Sequence, residues 1–368
     1  MSTLAVARPM IQFAGFAYSG AFNDIPKAYP YTYAINGKDK QGVSLLERAL
    51  NERVSKADFD GFRLNETSLG RIHANHPLAL AFALTRENVS KEHIGTVYKV
   101  VIILSAQALL FNEKTREVMA DYPVGFQYVD LFTRKPTQAV LRNLVRALYV
   151  GHRKANIFRA FVQRLHKARL RTHYGNTIRV TGVHIAPRAR TVIPASQLAA
   201  TKTFIGEQFS ADLSVRNGVP VLPYMTGDTI GNAIALRFAN GKAFNLVLPK
   251  PDYDITMTLA GFKKIPYQRG SWGTSWVYGA FVHVTVREPL SGHEYMNGMI
   301  RQAAIKIVPA SQETVSNWPA FEETLSNLLD QLSRAIAHPT RHWARIHMGR
   351  GRDHRQLAAV KKVVQLCR

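Results

Sequence analysis

Two periodicities divide the chain. "MIQFAGFAYSG" (Met10 to Gly20) reads as a strand, and Leu45, Leu46, Leu50 and Val54 then recur at helical spacing. "LALAFALTRENV" (Leu78 to Val89), "TVYKVVIILSAQALLF" (Thr96 to Phe111) and Glu117 to Phe132 are three further strands. After Pro136, a helix carries Val140, Leu141, Leu144 and Leu148 on one face. Its proline stands at a helix start, where a missing N–H costs nothing.

Much the same order returns downstream. "GVPVLPYMTG" (Gly218 to Gly227) reads as an opening strand, and Ile230, Ile234 and Phe238 as the stripe of a helix. "DYDITMTLAGFKKI" (Asp252 to Ile265), Ser275 to Glu288 and His293 to Pro309 follow as strands. A closing helix opens near Pro319 with Phe321, Leu325, Leu328, Leu329 and Leu332. "SAQALLFNEKTREVM" from Ser105 and "VHVTVREPLSGHEYM" from Val282 are counterparts, each a strand running through a polar turn into Glu-x-Met (Glu117 and Met119, Glu294 and Met296), and Gly292 is available in the second for a positive φ.

The expected fold is therefore α/β (α+β): two tandem β-α-β-β-β-α units, each an open mixed or antiparallel sheet with helices packed on it. The boundaries read as 8–150 for the first copy, with an insertion at 21–43, and 205–337 for the second. Residues 151–204 read as a basic helical linker and 338–368 as a basic tail, disordered or helical.

Composition sharpens this at one point. The chain has 368 residues, 46% of them hydrophobic, enough for two ordinary cores. Its net charge of +23 is localised: no acid stands between Asp130 and Glu207, where 15 Lys and Arg occur, and from Arg334 onward nine basic residues face Asp353 alone. The remainder is neutral. Such segments meet polyanions or anionic membrane faces, or are simply solvated.

Gly151 to Gly175 reads as a helix whose face carries Ile157, Phe158, Phe161, Val162 and Leu165. Arg153, Lys154, Arg159, Arg164, Lys167, Arg169 and Arg171 supply its charge. Three readings stand open: a docked linker helix, a helix on anionic lipid, and a phosphate-contacting surface. In the tail, Trp343 is the candidate to enter a membrane interface or stack on bases. Tyr29, Tyr31 and Tyr33 alternate in "YPYTY", which fits one face of an extended segment and makes them a candidate partner surface.

Phosphate-loop, dinucleotide, metalloprotease and nucleophile-elbow motifs are absent, which points away from an enzyme. No cofactor or metal is expected: His338, His342, His347 and His354 are loosely spaced without Cys or carboxylate partners. Cys367 is the single cysteine. "MSTLAVARPM" does not read as a secretory signal.

The segments Val219–Tyr224, Asp252–Gly261 and Phe281–His293 resemble bacterial envelope proteins of the curli-secretion channel type, a pattern shared by TolB amino-terminal and penicillin-binding-protein-activator lipoprotein domains. The second copy matches well and the first weakly. The resemblance implies a non-catalytic envelope assembly or accessory protein on the periplasmic side, bound to other envelope proteins or to itself, with an anionic membrane surface as a further partner. A basic nucleic-acid-binding protein using 151–175 and 341–368 is the alternative, and the cytoplasm is then the compartment.

Overall fold

A computed structural model describes residues 8–65, 77–94, 96–151, 155–168, 170–171, 174–225, 233–239, 241–271, 273–309, 316–349 and 353–368. They form two compact units, 1–174 with 230–249 and 175–229 with 250–368. The first begins with β1 (Met10–Ser19), α1 (Ile25–Ala28), α2 (Pro30–Ile35), α3 (Leu45–Ser55) and β2 (Arg63–Asn65). It continues through β3 (Leu78–Ile94), β4 (Val97–Asn112), β5 (Val118–Phe132), α4 (Gln138–Val150) and α5 (Ile157–Lys167). The second unit takes β6 (Ile178–Ile185), α6 (Pro187–Arg190) and α7 (Leu198–Asn217). The chain then gives the first unit β7 (Ala233–Phe238) and β8 (Ala243–Val247). It ends in the second with β9 (Tyr253–Gly270), β10 (Gly273–Arg287), β11 (Glu294–Pro309), α8 (Trp318–Ala337), α9 (Arg341–His347) and α10 (Asp353–Leu366).

The expected α/β class with open mixed sheets is what the chain forms. The first sheet runs β5-β4-β3-β1-β7-β8, with β2 beside β1. β1 lies parallel to β3, and β3, β4 and β5 alternate antiparallel. The second sheet runs β11-β10-β9-β6, again with a parallel first strand and three antiparallel ones. Four strands thus share one order and one set of directions in both units. The first strand of each is bulged, at Gly15 and at Gly182. The last hairpins match as well: Asn112 N–H bonds Glu117 O (2.8 Å) and Glu288 N–H bonds His293 O (2.9 Å). The residue needing positive φ stands at the same place in both, Arg116 (+59°) and Gly292 (+73°).

Local chemistry sets the helix starts. Ser44 Oγ accepts from Glu47 N–H at the head of α3, Thr137 Oγ1 from Val140 N–H at α4, and Asn156 Oδ1 from Arg159 N–H at α5. Pro319 opens α8 and left-handed Gly218 closes α7.

In the first unit, Phe16 of β1 stacks on Phe82 of β3, with ring centroids 5.4 Å apart. α5 drives Phe158 and Phe161 onto them, 5.2 and 5.3 Å from Phe82. The opposite face is enclosed differently. The ends of the sheet meet where Glu117, just before β5, bridges Val247 of β8, and Val247 N–H donates to Arg116 O (2.7 Å). Phe111, Phe244 and Phe238 then pack in a row across β4, β8 and β7.

Four expectations are corrected here. Residues 151–204 are no linker: α5 belongs to the first core, while β6, α6 and α7 belong to the second unit. The second unit's sheet opens at β6, not at Gly218; the 218–225 stretch has bridge residues at Val221 and Leu222, the latter paired with Arg179. The helix expected through Ile234 and Phe238 is strand β7, in the first unit; Ile230 lies outside the described residues. Ile234, Leu236 and Phe238 are all buried, so period 2 prevails, and only the i+4 subset looked helical. "YPYTY" is not an extended segment: Tyr29 stands between α1 and α2, and Pro30 to Tyr33 lie in α2. In the tail, α10 docks Leu357, Val360, Val363, Val364 and Cys367 into the second core.

Candidate functional site

The insertion after β1 begins at Gly20 (φ +125°) and builds a cleft at the carboxyl end of that strand. In open sheets, this is where ligands enter. One carboxylate holds the insertion down. Glu87 of β3 accepts Tyr31 N–H and Thr32 N–H, both at 2.8 Å, and the Thr32 hydroxyl, at the head of α2. Burial raises the Glu87 pKa, and these three donors oppose that shift. Thr32 Oγ1 also lies 3.0 Å from the Tyr149 hydroxyl of α4.

Asn36 ties the far end. Its Nδ2 donates to the Tyr18 hydroxyl (3.1 Å), and its Oδ1 accepts the Leu46 N–H (3.0 Å). The resulting cleft of 670 Å³ is walled by Tyr18, Phe22, Tyr33, Lys38, Arg237 and Phe238, among others. The Arg237 guanidinium lies 5.7 Å from the centre of the Phe22 ring. Among the described residues, donors line this space and no carboxylate does, so it suits an uncharged or anionic group beside an aromatic wall. Ala34, Gly37 and Lys38 also border a second cleft, of 550 Å³.

Of the tyrosine trio, only Tyr33 stays exposed. Tyr29 is buried and its hydroxyl donates to Ser19 O (2.6 Å). Tyr31 is half-buried and donates to Gln138 Oε1 (2.8 Å). A spacing of two suggested a common face only while the segment was taken as extended; in a helical turn it scatters them.

The basic candidates also separate. Phe158 and Phe161 are wholly buried, so neither anchors a membrane. Arg164 is buried with its guanidinium 5.2 Å from the centre of the Tyr122 ring, and burial lowers its pKa. Arg159 is half-buried, while Lys167 and Arg171 are exposed. Arg153, Lys154 and Arg169 lie outside the described residues. Trp343 is half-buried, packs against the second core and stacks on His347 with centroids 4.5 Å apart. The structure does not assemble these residues into one surface.

The second unit offers a different surface. Its helix side is sealed around Tyr278, Phe321 and Phe262. On the other side, β9, β10 and β11 place Ile265, Val277 and Ile305 in register across the sheet. Ile265 is 42% exposed, Ile305 56% and Ile307 64%. Phe281 lies against Gly279, and these residues with Ile346 line an apolar cleft of 350 Å³ rimmed by Lys263 and Arg301. Sequence reasoning took these strands for core and passed over the face they leave bare. The signal was present, since "KKIPYQRG" keeps apolar residues in a polar strand end. Glu87 was similarly visible as an acid in an apolar strand, whereas Arg237 was hidden by the helical reading of its strand.

Among the described residues, no three His, Cys, Asp or Glu side chains converge as a metal site, and no helix is long and apolar enough to cross a membrane.

No protein-family profile matches the chain, and no curated protein matches it. Among solved structures, a minor lipoprotein from Acinetobacter baumannii is similar over 47% of this chain and 96% of its own, at 10% identity and a TM-score of 0.22. A hypothetical protein from Chlamydia trachomatis is similar over 44% and 96%, at 11% identity and a TM-score of 0.26. TolB from Acinetobacter baumannii is similar over 84% and 60%, at 8% identity and a TM-score of 0.14. At these scores the likenesses carry no argument about function.

Proposed function

We propose that this protein is a non-catalytic accessory component of a bacterial envelope assembly, working on the periplasmic side by binding another protein. The observation that carries the binding role is the bare face of the second sheet. Ile265, Ile305 and Ile307 hold apolar area in water, where burial of each side chain would yield roughly 1.5–3 kcal/mol if complete. Contiguous apolar surface with a cationic rim, here Lys263 and Arg301, has the anatomy of a protein interface. The envelope setting rests on the sequence resemblance of Val219–Tyr224, Asp252–Gly261 and Phe281–His293. The shared four-strand order supports an internal duplication, in which one copy kept its sheet face free.

The test is a photo-reactive amino acid placed at Ile305 or Ile307 in the native host. Expected is a crosslink to an envelope protein that is lost with Ile265→Asp, with the melting curve unchanged. Crosslinks confined to cytosolic protein, or to nucleic acid, would defeat the proposal.

A further inference from the structure

Part of the charge in the acid-free stretch between Asp130 and Glu207 lies on α4. α4 contains no Asp or Glu, and Arg142 and Arg146 stand one turn apart on its exposed side. Both point to the 550 Å³ cleft, where Lys38 and Arg48 join them from the insertion and from α3. Four cations share this concave space with one carboxylate, Asp39.

Asp39 is already committed. Its Oδ1 accepts Gln41 N–H (2.8 Å) and Val43 N–H (3.0 Å), and its Oδ2 pairs with Arg48. Among the described residues, Lys38, Arg142 and Arg146 form no ion pair. The nearby backbone donors of α3 are also used: Leu45 N–H goes to Gly37 O, Leu46 N–H to Asn36 Oδ1 and Glu47 N–H to Ser44 Oγ. What remains are side-chain donors of one sign, two of them planar forks, with the Asn143 amide beside them. A cleft lined by one sign of charge focuses its field on an ion entering it.

We infer that this cleft binds a phosphate group carried on a larger molecule. Guanidinium forks match the paired oxygens of phosphate, and a dianion can satisfy several cations at once. A cleft of 550 Å³ is larger than phosphate alone would fill, so the rest of the molecule occupies it too. The site belongs to the first unit and does not depend on the bare sheet face of the second.

The phosphate could belong to a soluble compound or to a lipid headgroup, and two probes separate these sources. The full chain is titrated calorimetrically with inorganic pyrophosphate, and is co-sedimented with phosphatidylglycerol vesicles against phosphatidylcholine vesicles. Arg142→Ala with Arg146→Ala is the test pair. Arg345→Ala with Arg355→Ala removes as much exposed charge from the second unit and is the control. At least one probe should bind, weakening with salt, and the test pair should cut affinity tenfold or more while the control changes it less than twofold. Pyrophosphate binding assigns a soluble ligand, and vesicle binding without it assigns a lipid headgroup. Binding of neither probe, or an equal loss in the control, overturns the proposal. Retention of single-stranded RNA with neither probe bound overturns it in favour of a nucleic-acid surface. All four arginines are exposed, and a circular-dichroism melt confirms that each variant is folded.

Discussion

Both units use the strand order of a parallel opening strand beside three antiparallel ones, yet they treat the far side of the sheet differently. The first adds β7 and β8 next to β1, and the bridge from Glu117 to Val247 joins the two ends. Strand β1 is consequently buried on both faces from Ile11 to Tyr18, apart from what Gly15 contributes without a side chain. The second keeps four strands, and the ends of β9, β10 and β11 stand bare on one side. The first unit covers both faces of its opening strand, whereas the second leaves apolar side chains bare on one side of its sheet. The clefts of the first unit therefore arise from its insertion, and the bare face of the second from what it lacks.

The harshest way to break this comparison is through the four-ring aromatic stack at the centre of the first unit. Phe82→Ala should destabilise the protein by about 3–5 kcal/mol, measured by urea denaturation. Phe82 is in contact with Phe16, Phe158 and Phe161, and the cavity cannot collapse around three rings.

A next, smaller effect follows from one buried acid in each unit. Glu47, whose carboxyl accepts the Phe16 N–H at 2.7 Å, has its pKa pushed up to about 7 by burial from the ordinary 4.5. Asp212 is likewise pushed up to about 7 from 3.8, chiefly by burial, with Asp330 adding to the rise and Gln208 opposing it. With the folded pKa above the unfolded one, the folded state holds the proton more tightly. Stability is then greatest below pH 4 and falls as pH rises toward 7, by about 3 kcal/mol for Glu47 and about 4 kcal/mol for Asp212. Unfolding free energies across that range should show the decline. Glu47→Gln and Asp212→Asn should each remove about half of it, and a flat wild-type profile would contradict the shifts.

The two bulges give a finer comparison. Gly15 has φ +90° and an added Cβ would meet the Glu47 carboxylate at 2.1 Å, so Gly15→Ala should cost roughly 2–3 kcal/mol. Gly182 lacks the positive φ, and its Cβ would meet the Thr256 methyl at 2.7 Å. Gly182→Ala should cost about 1 kcal/mol. Equal melting shifts would show the two bulges to be interchangeable.

Smallest in stability is the bare face itself. Ile307→Ser should change stability by no more than about 0.5 kcal/mol, because the side chain is 64% exposed. Crosslinking to the proposed partner should nevertheless fall sharply. A large drop in stability would mean that the residue serves the fold and not a partner.

Much of this architecture was legible locally. The three antiparallel strands of each unit, the α3, α4 and α8 stripes, and the hairpin position taken by Arg116 and Gly292 all follow from short-range pattern and turn chemistry. The sites were legible only in part. Arg142 and Arg146 could be seen at i and i+4 on a helix within an acid-free stretch, but nothing nearby in sequence shows Lys38 and Arg48 facing them. The tyrosines of "YPYTY" could be recognised as exceptional, but not that Glu87, 56 residues from Tyr31, would pin them.

The sequence by itself determined the periods, caps and turns, because those depend on neighbours within a few residues. Only the tertiary structure decided what each apolar face meets. The stripe of Ile157, Phe158, Phe161 and Leu165 reads alike for a core, a membrane or a partner, and docking on the first sheet made it core. Tertiary pairing likewise made Ala233–Phe238 a strand and attached it to β1, more than 200 residues earlier. Periodicity fixes the direction in which a side chain points along its own element; the surface waiting there is supplied by residues distant in the chain.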